Sequence, residues 1–204
     1  MDYGYTDRII AAVDAQIVKK FMRLKSLLAI DEVDVIGVIG ILYKDLAAMV
    51  REQYRRIARH YYAGEHCGAD RKEIDRLMDA DWIDELLSAP DEVSKYVFAN
   101  EEDRRRARLA EAILAGGEPG KEADAAKKAL SFMYRLYAVR MTDEAVLQGM
   151  KDDGAQYVQW VAESDAKTCS VCAERNGKIY LISQVPAKPH VNCRCTYRRV
   201  KGSK

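Results

Sequence analysis

No apolar run in this 204-residue chain is long enough to cross a bilayer. The longest, Val35 to Leu42, is eight residues, against the roughly 20 that a spanning helix needs. The start, MDYGYTDRII, lacks the basic segment and apolar stretch of a secretory signal. Synthesis in the cytosol is therefore expected. The chain also lacks a charge of dominant sign: its net charge is +1, which argues against non-specific polyanion binding as the main role. There is no internal repeat, no low-complexity tract, no P-loop and no Gly-rich dinucleotide motif. Only three histidines are present, too few to supply a histidine-based nuclease once one is committed elsewhere.

What the chain does contain is hydrophobic residues at 49% and charged residues at 32%, a balance that is neither disordered nor membrane-like. From Thr6 to Ala29 the positions Ile9, Ile10, Val13, Ile17, Val18, Phe21, Leu24 and Leu28 recur at three- and four-residue steps, one stripe of an amphipathic helix. Asp31 is placed to cap a second helix running through Leu46, Val50, Tyr54, Ile57 and Tyr61. The first part of that helix is apolar all round, so it is expected to be buried, centrally or against another protein. Val35, Ile36, Ile39 and Leu42 are its candidate partner contacts. Gly37 and Gly40 are expected to let another helix approach closely.

His66 and Cys67 stand together in a Gly-rich break and read as a polar helix end with an incidental thiol. Asp70 is a candidate cap for a helix through Leu87 that Pro90 ends. A charged, partly exposed helix is expected over about 91–115. GGEPGKE at 116–122 is a sharp turn or a hinge, and the next helix runs to about Met150 with an interruption near Thr142. Past Gly154 the pattern changes: Tyr157 to Val161, the residues after Gly177, and Cys193 to Val200 have strand character. The fold class expected is thus mostly α: a helical body over 1–150 and a small β-rich module over 151–204.

Four of the five cysteines crowd into that module, as Cys169-x-x-Cys172 and Cys193-x-Cys195, with His190 just ahead of the second pair. In a reducing compartment this pattern favours a metal over disulfides, and thiolate and imidazole donors suit zinc. Five donors, Cys169, Cys172, His190, Cys193 and Cys195, compete for four places. If Cys193 and Cys195 lie on a strand, both point to the same side. Two disulfides or free thiols are the alternatives. A metal would also compensate for the small core of a β module of this size. A thiol–disulfide enzyme would need C-x-x-C at a helix start, whereas Ser170 and Val171 read as lying between strands. Arg194, Arg198, Arg199 and Lys201 form a basic tail, either solvated or contacting phosphates in the manner of a nucleic-acid-binding zinc ribbon.

The stretch Trp160-x4-Asp165-x3-Cys169-x2-Cys172-x4-Gly177, with Pro189-His190-x2-Cys193-Arg194-Cys195, resembles the C-terminal signature of Mu F-like minor head proteins of tailed bacteriophages. The segment Arg140-Met-Thr-Asp-Glu-Ala145 resembles the helix that precedes the tryptophan in that family. Val191 stands where family members often carry proline. The resemblance covers about 60 residues and implies a non-enzymatic minor capsid component of the virion. It implies association with the portal or major capsid protein in the inner head, and assistance in assembly or in packaging and delivery of DNA. A chain that ends four residues after Val200 is expected to carry no fused enzymatic domain.

Overall fold

The computed structural model describes residues 3–89, 98–163, 165–190 and 193–200. Six helices come first: α1 (Gly4–Leu28), α2 (Val35–Glu65), α3 (Arg71–Leu77), α4 (Ala80–Ser88), α5 (Phe98–Leu114) and α6 (Pro119–Asp152). They are followed by β1 (Tyr157–Val161), the short helix α7 (Ser170–Arg175), β2 (Ile179–Leu181) and β3 (Thr196–Arg199). The expected fold class, mostly helical with a small C-terminal sheet, is what the chain adopts.

The body is built on α1, α2 and α6. Side-chain bonds fix their directions. Lys20 pairs with Asp45 and Thr6 meets Tyr61, so α1 runs antiparallel to α2. Arg135 pairs with Asp14 and Lys25 with Asp124, so α1 is antiparallel to α6 as well. Tyr54 donates to the Tyr134 carbonyl and Tyr62 to Asp152, which makes α2 and α6 parallel. The α1 stripe is buried as its spacing requires, except that Val18 lies on the exposed flank. Phe98 of α5 packs edge-on against Tyr54 and Tyr137, closing the core from the side.

Several expectations are corrected. The cap of α2 is Asp34, not Asp31: its carboxylate accepts the Gly37 N–H at 2.9 Å, and a capping side chain reaches only the N–H groups two or three residues on. Gly37 admits this carboxylate, which a Cβ would strike, and Gly40 faces open space, so neither glycine serves close helix packing. That role falls to Gly149 of α6, where a Cβ would lie 2.9 Å from the Tyr62 carbonyl oxygen of α2. The helix expected after Asp70 is two helices. Asp70 caps the first through Glu73 N–H (2.8 Å), and Asp79 starts the second through Trp82 N–H (3.1 Å). Nor is α6 interrupted at Thr142, whose hydroxyl donates back to the Ala138 carbonyl (3.1 Å) and pairs with the Thr6 hydroxyl (2.6 Å). Residues 91–97 of the expected charged helix lie outside the described residues, as does Pro90.

Residues 115–118 form a tight turn between α5 and α6. Gly117 N–H reaches the Ala112 carbonyl (2.9 Å), and Gly116 adopts the left-handed conformation (φ 93°) that lets a helix end this way. The apolar start of α2 is not buried all round. Ile39 and Leu42 enter the core and Val35 is half-buried, but Ile36 and Ile41 are 65% and 66% exposed.

Candidate metal centre

The three-stranded sheet has the order β2-β1-β3, with both pairs antiparallel. Its inner face carries Val158, Trp160 and Tyr197, with the rings of Trp160 and Tyr197 in a T-shaped contact at 5.6 Å. Arg175 of α7 stacks over Trp160, 5.1 Å from the ring centre, and donates to the Ala187 carbonyl at 2.7 Å. One arginine thus ties the helix bearing Cys172 to the sheet and to the loop that leads to His190.

The structure brings all five predicted donors together. Cys169 and Cys172 arrive from the start of α7, His190 from the loop after β2, and Cys193 and Cys195 from the segment before β3. The cysteines of the second pair precede the strand, which begins at Thr196, yet both are buried beside Cys172. Cys172 Sγ lies 3.5 Å from Cys193 Sγ and 3.9 Å from His190 Nε2. Four ligands about 2.3 Å from a zinc ion in a tetrahedron stand about 3.8 Å apart. The Cys172–His190 separation matches such an edge, and the 3.5 Å between the Cys172 and Cys193 sulfurs is far from a disulfide bond length of about 2.05 Å. The residues present therefore fit a metal.

Electrostatics separates the thiols. The Cys172 N–H, 3.4 Å from Cys169 Sγ, leads the effects that pull the Cys169 pKa below the usual thiol value. Burial pushes Cys172 up, reinforced by the other thiols, and burial also raises Cys193. Without a bound cation, so many thiolates in one buried place would repel one another. Asp165, three residues before Thr168, shapes the approach: it accepts the Lys167 N–H at 2.9 Å, and hydrogen bonding from Arg194 holds its carboxyl below the usual range.

The module is fastened to the body by a buried polar knot that the sequence reading missed. Tyr3 donates to Asp143 Oδ1 at 2.6 Å and lies 3.2 Å from the Cys195 carbonyl oxygen. Lys188 donates to Asp143 at 2.7 Å and also contacts the Tyr3 hydroxyl. Burial raises the Asp143 pKa, while Lys188 and Tyr3 pull it back. The available signal was Asp143 itself, a carboxylate amid the buried positions Met141, Thr142, Ala145 and Val146 of α6. On the other side, Arg199 donates to the Glu65 carbonyl at 2.7 Å and pairs with Asp153.

The remaining candidates are placed as follows. Of the proposed phosphate contacts, Arg194 is exposed but clasps both carboxylate oxygens of Asp165 (2.9 and 2.7 Å), Arg199 is engaged as described, and Arg198 is exposed. Lys201 lies outside the described residues. Of the proposed partner contacts, Ile39 and Leu42 are committed to the chain's own core, and Ile36 presents its side chain to solvent. The exposed Cys67 takes no part in the cluster, and His66 lies 3.3 Å from Asp153. C-x-x-C lies between β1 and β2 as expected, but it also opens a helix there, α7, with Cys169 as the capping residue.

Compared with known proteins, residues 40–198 match a family model described as Phage Mu protein F like protein. No curated protein and no solved structure matches.

Proposed function

Because the chain belongs to the Phage Mu protein F like family, a family of phage head-related proteins, we propose that it is a structural minor head protein of a tailed bacteriophage. In this reading it sits in the virion at the inner head, bound to the portal or the major capsid protein, and assists assembly or the packaging and delivery of DNA. It is not an enzyme. The Cys/His cluster holds one zinc ion that clamps the module, as closed structural sites do.

The observation that carries this reading is the donor set of the cluster, five thiol and imidazole groups for the four places of a tetrahedral ion, which leaves none open. Cys172, Cys193 and Cys195 are all buried, and the surrounding knot of Tyr3, Asp143 and Lys188 welds them to α1 and α6. A catalytic metal keeps an open coordination position. A stable scaffold has no use for one.

The test has two parts. Protein purified under reducing conditions with no added metal is expected to carry about one zinc per chain by elemental mass spectrometry, and to lose the C-terminal fold on chelation. Phage lacking the gene is expected to yield defective heads, and purified wild-type heads are expected to contain the protein. Normal heads without it would sink the assignment.

The start of α7 favours one rival, a thiol–disulfide enzyme, since Cys169 is half-exposed at a helix N-terminus with a lowered pKa. Cys169→Ser decides between the two. An enzyme would keep its fold and lose activity, whereas the structural site would lose its metal and the fold of the module. A nucleic-acid-binding role predicts affinity falling steeply with salt. The internal pairing of Arg194 and Arg199 weakens it.

A further inference from the structure

The five donors fall into two triads that share Cys172: Cys169, Cys172 and His190, and Cys172, Cys193 and Cys195. Within each triad the ligand atoms lie within 4.8 Å of one another. Among the described residues no carboxylate joins either triad. A tetrahedral ion takes four ligands, so one of the five is left over.

A small cleft opens at the cluster and separates the candidates. Cys169, Cys172, His190 and Cys195 line it, and Glu163, Lys167, Thr168 and Arg194 complete its wall. Cys193 does not line it. From this we infer that the ion is bound in the cleft by Cys169, Cys172, His190 and Cys195, with Cys193 left as a buried thiol packed on the Cys172 sulfur. The inference rests on the reading that the cluster holds a metal and names which residues do so.

A second observation points the same way. The Cys195 carbonyl oxygen lies 3.2 Å from the Tyr3 hydroxyl, so the residue that closes the coordination also lies against the helical body. Cys193, 3.5 Å from Cys172 Sγ, is within reach of an S–H contact to that ligand, the kind of supporting contact that tunes a metal ligand from outside its coordination sphere.

The experiment is a cobalt(II) titration of the full chain under reducing conditions, read by absorption. Wild type is expected to show tetrahedral ligand-field bands and thiolate-to-cobalt charge transfer. Cys193→Ser keeps both, with affinity within about 10-fold of wild type, the low end of what losing a supporting contact costs. Cys195→Ser weakens binding by more than about 100-fold, beyond the usual range for such contacts. Cys195→His guards against simple misfolding: it retains the ion with weaker charge transfer. Loss of the ion in Cys193→Ser, or its undisturbed retention in Cys195→Ser, overturns the assignment. A wild-type chain that takes up no cobalt overturns the metal reading itself.

Discussion

The helical body and the C-terminal module are held together by different physics. The body buries long apolar stripes: Ile17, Phe21 and Leu24 of α1, Leu46, Val50 and Ile57 of α2, and Leu130, Met133 and Tyr137 of α6. Burial of that kind is worth about 1.5–3 kcal/mol per large side chain, and it accumulates with length. The module has strands of five, three and four residues and little beyond Val158, Trp160 and Tyr197 to bury. What it lacks in apolar area it replaces with an arginine stacked on tryptophan and polar bonds to the body, beside a Cys/His cluster that could hold a metal. The difference teaches that one chain can be stable by area in one region and by specific links in the other. Damage should therefore stay local in the module and spread in the body.

The largest effect is expected from Ile39→Asp. It puts a carboxylate at a fully buried position in the body, and the loss exceeds about 4 kcal/mol, enough to abolish the folded state. Circular dichroism of the purified variant would show this, and a variant folded like wild type would break the picture of the body.

Next is Lys188→Met, which leaves Asp143 buried without its cation and is expected to cost about 3–5 kcal/mol at pH 7. The sign of its pH dependence follows from the raised Asp143 pKa. A carboxyl whose folded pKa exceeds its unfolded value favours folding in its protonated form. Its contribution is complete below the unfolded pKa and is lost as pH rises through the folded one. Removing Lys188 raises the folded value further, so the deficit should shrink as pH falls from 7 toward 4. Urea midpoints at several pH values check this, and a deficit that does not vary with pH would mean that Asp143 is not the group left uncompensated.

Gly149→Val tests the α2–α6 contact. Its side chain meets the Tyr62 backbone, and overpacking at such a site costs about 1–3 kcal/mol. A thermal midpoint unchanged from wild type would show that the helices can separate freely.

The smallest effect on stability is expected from Ile36→Asp, within about 0.5 kcal/mol because the side chain is already in solvent. If Ile36 contacts another head component, the same variant should fail to enter heads. Incorporation at the wild-type level would remove Ile36 from the interface.

Much of the helical body was legible because its signal is periodic. The α1 stripe and the buried positions of α2 from Leu46 onward follow directly from apolar spacing. Helix starts were less legible, since Asp31 and Asp34 both look like caps and only the bond to Gly37 chooses between them. A run such as Val35 to Leu42 shows that a segment is apolar, not which side meets the core. That is how Ile36 and Ile39, three residues apart, came to opposite fates. Gly149 could not be told from Gly37 or Gly40, because close approach depends on which helix crosses there.

The sequence by itself determined the mostly helical class, the strand-forming C-terminus and the candidate donors Cys169, Cys172, His190, Cys193 and Cys195. Each rests on residue type and local spacing, which a one-dimensional pattern carries in full. Only the tertiary structure decided that Cys172 sits at the centre of the cluster and that the cleft excludes Cys193. It alone joined Tyr3, Asp143 and Lys188, residues up to 185 positions apart, into the knot that fastens the module. Such contacts depend on how helices cross and where loops return, and nothing in the local pattern of any one segment encodes its distant partner.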